Sequence, residues 1–550
     1  MTAPKSRLSG LGRLGDFTTT PRILVIAALG IPIGVLGAGL AVVLLGLINA
    51  FTNLFFFQRL SLEPVLPAAH QLGALVIVVP VVGALIIGLM ARYGSERIRG
   101  HGIPEAIEAI LIRGSRVEPK LVVLKPLSAA ISIGSGGPFG AEGPIIMTAG
   151  SFGSMIAQFF HLTDAERKTL MVSGAAAGMS ATFATPLAAA MLAVELLLFE
   201  WKPRSLIPVA VASLSAFAAR TFALGAGPLF PVPPHAAFVG VDGLVATAGV
   251  GLAAGLLSAV LTTMVYWSED AFSRLPIHWM WWPAIGAVVV GLGGWVFPRA
   301  LGVGYETIGA LLQGETLLPL LVGILVVKSL IWAVALGSGT SGGVLAPLLM
   351  MGGALGGLAS LVLPAEGPGF WPLVSMAAVL GGTMRAPFTA ALFALELTHD
   401  FNALVPVFLA AVVAHAFTVL TLPRSILTEK VSRRGLHLSR EYTVDPLEIL
   451  LVRDVMDQAT PGAPSVPSVA IPADAPLRVA AYRMAEAGVT RLAVVAPANG
   501  RELQGVLLLE DLLKARAAHL DSEERRDRPL RLWNLVTMFS RTAERLRIVR

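Results

Sequence analysis

The chain contains no cysteine, and charged residues make up only 14% of its 550 positions. Without cysteine there is no disulfide framework, thiolate metal site or cysteine nucleophile. Soluble globular chains carry about 25% charge, so the shortage excludes a string of soluble domains over most of this length. None of the nine histidines falls in an HExxH arrangement, which removes that kind of zinc-protease site. Polar low-complexity sequence is also missing. The many glycines (57) and prolines (37) interrupt apolar runs instead, which rules out disorder and collagen-like repeats. What fills the chain is apolar: 55% hydrophobic residues and a mean hydropathy of +0.75. A polytopic helical membrane protein is expected.

The net charge of +6 is topological rather than a sign of nucleic-acid binding. Basic residues gather at Lys5, Arg7, Arg13 and Arg22, at Arg92, Arg97 and Arg99, and from Arg424 onward. Each cluster flanks an apolar stretch, as the positive-inside bias requires of cytoplasmic segments. The first apolar stretch, 23–57, is too long for a signal-peptide core and lacks a small-residue cleavage site. The expected setting is a bacterial inner membrane, with the amino terminus and the soluble tail in the cytoplasm.

Residues 1–20 form a polar tail and 21–423 a membrane domain. Apolar segments fall at 23–57, 71–92, 121–133, 144–160, 166–200, 206–224, 242–272, 279–298, 316–336, 344–363, 371–397 and 404–422. Several are shorter than the ~20 residues of a full span, so half-helices meeting inside the membrane are expected. The polar stretch 424–450 is the expected linker to a domain at 451–520, followed by a tail at 521–550.

An internal repeat is the most informative feature. KPLSAAISIGSGGPFGAEGPIIMTAGSFG at 125–153 aligns with KSLIWAVALGSGTSGGVLAPLLMMGGALG at 328–356, at an offset of 203. Lys125 falls on Lys328, Gly140 on Gly343 and Pro144 on Pro347; farther on, Pro186 to Glu195 matches Pro387 to Glu396. The membrane domain therefore divides into repeats of about 21–225 and 240–423. Each repeat places a Gly-rich loop before a helix opened by proline. A helix that starts inside the bilayer presents unpaired N–H groups and its positive dipole end. Two such ends facing each other make a site for an anion.

Three motifs carry a resemblance to a known family. GAEGP at 140–144 resembles the G(K/R)EGP motif of the CLC family of chloride channels and chloride/proton antiporters. GHGIPE at 100–105 is similar to its GSGIP motif, and GGVLAP at 342–347 to its GxFxP motif. The resemblance covers about 20–450. It implies an all-α membrane domain of two inverted repeats of short, tilted helices, a homodimer with one pore per subunit, and transport of chloride or a similar small anion. The implied anion-binding residues are Gly100, His101, Gly102, Ile103, Pro104, Gly140, Ala141, Gly143, Pro144, Gly343, Val344, Leu345, Ala346 and Pro347. Bound chloride is expected, and no cofactor.

The departures matter equally. The family's pore serine is His101 here, its GxFxP phenylalanine is Leu345, and the basic residue before its glutamate is Ala141. Tyr93, Tyr266, Tyr305, Tyr442 and Tyr482 are the tyrosines of the chain, and none stands where the family's pore tyrosine would. Coordination must then lean on backbone N–H groups at 102–105, 141–143 and 344–345.

Glu142 lies inside an apolar block, where a carboxylate is costly and usually functional. The resemblance makes it the pore gate, mimicking an anion and swinging away on protonation; the plain alternative is a fixed carboxylate at a helix start. His101 is either a pore-lining donor or a solvated residue at the cytoplasmic mouth. Lys125 either raises the pore potential or anchors a helix end. Glu195 and Glu396, repeated in both halves, suggest capping of facing helix ends. Antiporters of the family commonly add an inner acid one residue after the buried glutamate, and that position is Leu196. Glu200 lies one helical turn further on and could substitute, since residues four apart share a face. A voltage- or pH-gated chloride channel is the favoured expectation, with a chloride/proton antiporter using an unconventional path as the alternative.

The tail reads as a helix at 477–487, a strand at 491–496, a turn at Asn499-Gly500, a strand at 503–509 and a helix from Glu510. It resembles a single CBS domain. Nucleotide-binding members carry Thr or Ser where Leu508 precedes Asp511, which disfavours an adenine nucleotide. A CBS-regulated divalent-cation transporter is the distant alternative. It would need a carboxylate cluster along the pathway, and the intramembrane acids are few and scattered. A membrane enzyme is disfavoured by the lack of catalytic motifs.

Overall fold

The computed structural model describes residues 21–111, 114–115, 117–236, 238–435, 447, 450–458, 469–496 and 502–524. The expected amino-terminal tail with Lys5, Arg7 and Arg13, together with Tyr442, the turn at Asn499-Gly500 and the tail beyond 524, lies outside these residues. There are two compact units, one over 19–441 and one from 442 on.

The first half of the membrane unit comprises α1 Arg22–Phe57, α2 Gly73–Tyr93, α3 Ile103–Leu111 and α4 Leu121–Gly134. It continues with α5 Glu142–Gln158, α6 Asp164–Phe183, α7 Pro186–Leu198 and α8 Pro203–Leu224. The second half runs through α9 Val241–Ser273, α10 Trp279–Val296, α11 Tyr305–Leu312 and α12 Leu318–Gly337. It closes with α13 Leu345–Ala359, α14 Phe370–Met384, α15 Pro387–Thr398 and α16 Leu404–Thr421, and one helix more, α17 Ile426–Arg433. Each of the first eight helices has its counterpart eight places later. Among the described residues seven helices are long and apolar enough to cross a membrane.

The two halves are related by a twofold operation that the backbone displays directly. Gly140 N–H donates to Gly343 C=O at 3.2 Å, and Gly343 N–H donates back to Gly140 at 2.9 Å. These are repeat equivalents exchanging hydrogen bonds, so a pseudo-twofold axis passes between them. Glu195 and Glu396 obey the same operation. Glu396 accepts from Leu187 and Ala188 N–H at the start of α7, and Glu195 from Thr389 N–H and Oγ1 at the start of α15. Each carboxylate answers the orphan donors of the other helix.

Three expectations change. The segments expected as single helices at 166–200 and 371–397 are each two. The first breaks at Ala184 and the second at Arg385, both left-handed, before Pro186 and Pro387 restart the helix. No glycine marks either break, and glycine is the residue this conformation ordinarily selects. Secondly, α3, α11 and α17 lie outside every expected segment. Thirdly, 424–450 is not all linker. Ile426, Leu427 and Val431 of α17 are buried in the membrane core, so the linker can begin only after that helix.

The carboxy-terminal unit has a four-stranded sheet with β1 Asp457–Gln458, β2 Ala470–Pro472, β3 Arg491–Val495 and β4 Leu503–Leu508, in the order β1-β4-β3-β2. The β3–β2 pair is parallel and the others antiparallel. Helices α18 Leu477–Ala487 and α19 Leu509–Glu524 follow β2 and β4, and Ile471, Leu477, Leu492, Val494 and Leu507 form its core.

Candidate functional site

Glu142 opens α5 and is fully buried. Its Oε1 accepts from Leu345 N–H and, at 3.3 Å, from Ala346 N–H, the first donors of α13. A carboxylate from one repeat therefore sits on the helix start of the other, where the dipole and unpaired N–H groups favour negative charge. Its Oε2 is buried without a hydrogen-bond partner.

Two glycines wall this slot. A Cβ at Gly140 would stand 1.9 Å from Oε2, and one at Gly343 would stand 2.6 Å from Oε1. A third, Gly143, lets the loop before α3 approach, since its Cβ would lie 1.7 Å from the His101 carbonyl. The expected cluster is thus brought together: Gly100 to Pro104, Gly140 to Pro144 and Gly343 to Pro347 meet around Glu142, with Gly100 bridged to Ser341.

Not every expected donor is free. Gly102 N–H donates to Glu105 Oε2 at 2.8 Å, and Pro104 has no N–H. The inner loop therefore offers fewer backbone donors than expected. Glu105 in turn is bound by Arg434, whose guanidinium reaches Glu105 and Glu108 at 2.7 Å each. Sequence reading missed this tie, which returns from just past α17.

His101 is 3% exposed and its Nδ1 has no partner, so it is not solvated at the mouth. Lys125 donates to Ile98 and Gly100 carbonyls at 2.8 and 3.0 Å, and Lys328 to those of Ala300 and Gly302 at 2.8 and 2.7 Å. Both lysines pin the loop before a short helix. That symmetry exposes a further repeat, Gly100-His101-Gly102-Ile103 against Gly302-Val303-Gly304-Tyr305, with Gly102 at φ +90° and Gly304 at φ +84°.

Leu196 is fully buried. Glu200 does not share its helix face, because the helix ends at Leu198 in a π-turn and Phe199 is left-handed. Its carboxylate is held by Lys202 at 3.2 Å and by Ser205 Oγ at 2.8 Å. The Tyr266 hydroxyl donates from α9 to the Ile426 carbonyl that opens α17. A cavity of about 1000 Å³ borders Gly100 and Glu105; seven Lys/Arg and five Glu line it. Among the described residues no group of three or more His, Asp and Glu could hold a metal ion.

The family model described as "Voltage gated chloride channel" matches residues 82–419, and that of the CBS domain matches 452–518. A "Putative chloride channel protein ClcB-like" of Ralstonia nicotianae is 28% identical, over 65% of this chain and 85% of the relative. A "Voltage-gated ClC-type chloride channel ClcB" of Salmonella typhimurium is also 28% identical, over 68% of this chain and 93% of the relative. A slow cyanobacterial Cl⁻/H⁺ antiporter shares the fold with a TM-score of 0.65 at 22% identity, covering 76% of this chain and 98% of its own. A CLC-type fluoride/proton antiporter does so with 0.62 at 20% identity, covering 74% and 98%.

Proposed function

Because the chain belongs to the voltage-gated chloride channel family, we propose that it carries chloride or a similar small anion across the membrane, with Glu142 as the gate. The observation that carries this is the Glu142 carboxylate seated on the first N–H groups of α13. A permeant anion needs those same donors, so carboxylate and anion compete for one place. Protonation removes the carboxylate's charge and with it the attraction to the helix end. The basic excess around the inner cavity supplies attraction for anions arriving from the cytoplasm.

Passive conduction is the favoured mode. The position of an inner acid is Leu196, which holds no proton, and Glu200 is engaged by Lys202 and Ser205. Antiport is the second reading, favoured by His101, a buried titratable ring with an unpartnered nitrogen beside the pore loop. Chloride efflux from proteoliposomes tests the gate: Glu142→Gln should keep flux and lose its pH dependence. In the same vesicles with the potential clamped, a chloride gradient should move no protons uphill. Proton pumping that vanishes in Glu142→Ala would replace the channel reading with antiport.

The protein acts as a homodimer in a bacterial inner membrane. The face bearing the starts of α7 and α15 supports this, because Leu187 and Phe388 remain exposed there beside the Glu195 cap. Helix starts and a carboxylate cannot face lipid cheaply, and a second copy covers them. We infer that the CBS unit works without adenine nucleotide, since Leu508 supplies no hydroxyl ahead of Asp511.

A further inference from the structure

Tyr305 opens α11, and its hydroxyl is buried without a hydrogen-bond partner. An unpaired buried hydroxyl is costly and calls for an explanation. The ring is fixed, edge-on to Phe183 with centroids 6.3 Å apart and tilted against Phe230 at 6.0 Å. The helix that Tyr305 opens packs against α13, whose start holds the Glu142 carboxylate.

The pseudo-twofold operation places Tyr305 on the side of Glu142 opposite the inner loop. Ile103, its repeat equivalent, opens α3 beside the large inner cavity. The loop before Tyr305 borders a second cavity of about 200 Å³, lined by Arg299, Leu301, Gly304 and Glu306 among others. Gly304 at φ +84° and the Lys328 clamp on Ala300 and Gly302 fix where that loop runs. The unpaired Oε2 of Glu142 on α5 and the unpaired Tyr305 hydroxyl on α11 are thus two unsatisfied groups on helices that both pack against α13.

We propose that the Tyr305 hydroxyl is the outer stop of the gate, pairing with the Glu142 carboxyl once that group leaves the start of α13. Tyr305 is a positioning residue: it stabilises the released carboxyl and so holds the anion site open. No bond forms or breaks beyond this hydrogen bond. The inference rests on the gate reading above and adds where the gate goes.

The test is a double-mutant cycle read as chloride efflux from proteoliposomes, per mass of monodisperse protein. Tyr305→Phe keeps the ring and deletes the hydroxyl. It should lower efflux about three- to tenfold, the loss of one hydrogen bond in the open state. With Glu142→Ala already in place there is no carboxyl to hold, so Tyr305→Phe should change nothing further. An equal fall in both backgrounds would mean that the hydroxyl acts on the anion or the fold, and the proposal would be wrong. Unchanged or faster efflux in the single variant would also overturn it. If Glu142→Ala alone left efflux and its pH dependence as in the wild type, the gate reading itself would fall, and this inference with it.

Discussion

Glu142 is confined by what its neighbours lack. Gly140 and Gly343 leave a slot one carboxylate wide, and any Cβ at position 140 meets Glu142 Oε1 and Oε2 and its carboxyl carbon, the end of a flexible side chain. Gly140→Ala should therefore dislodge the carboxylate and leave the backbone in place. The expected phenotype is that of Glu142→Ala: efflux without pH dependence, from protein that folds and elutes normally. Gly343→Ala is different, because its Cβ would also lie 2.7 Å from the Gly140 carbonyl, and it should lower yield and stability. The slot was readable from GAEGP and GGVLAP. The capture of Gly102 N–H by Glu105 was not, because the arginine that holds Glu105 comes 329 residues later.

Between helices, α17 shows what periodicity misses. Eight polar-rich residues after the last long helix carry little hydrophobic signal, yet Ile426, Leu427 and Val431 are buried. A signal was present: Ser425 caps the helix and exchanges hydrogen bonds with Thr428. The same limit explains the helices expected to be continuous across Ala184 and Arg385, where a non-glycine residue bears the left-handed turn. The repeats, by contrast, were legible, because glycines and prolines needed at one helix meeting point are needed again at its twin. Arg434, just past α17, ties this segment to α3 through side chains of Glu105 and Glu108 that are only 5% and 9% exposed. Removing it takes the guanidinium away from two buried carboxylates, a loss of about 3–5 kcal/mol for a fully buried pair. The guanidinium is 36% exposed, so solvent screening reduces this to about 2 kcal/mol. Arg434→Ala should lower the apparent melting temperature in detergent by several degrees, and Arg434→Lys should recover part of it.

At the scale of the whole molecule, an imperfect internal twofold leaves a surface that one copy does not complete. The starts of α7 and α15 are satisfied by Glu396 and Glu195, but Leu187 and Phe388 beside them stay exposed. Both helices are too short to span a bilayer, so these starts fall at membrane depth, where uncovered polar backbone is not tolerated. A dimer built on this face depends on the membrane unit alone. The carboxy-terminal unit has its own core and exposes Tyr482, Leu509 and Leu513 on its helices, a surface suited to its twin in the same dimer. In the proposed dimer, pairing there would add to the association of the membrane units. A chain ending at Glu448 should consequently keep the mass of two copies in detergent by light scattering. It should dissociate at a higher protein concentration than the full chain, since one of two linked contacts is gone. A monomeric truncated chain would place the dimer in the CBS unit and leave the α7–α15 face to be covered by something else.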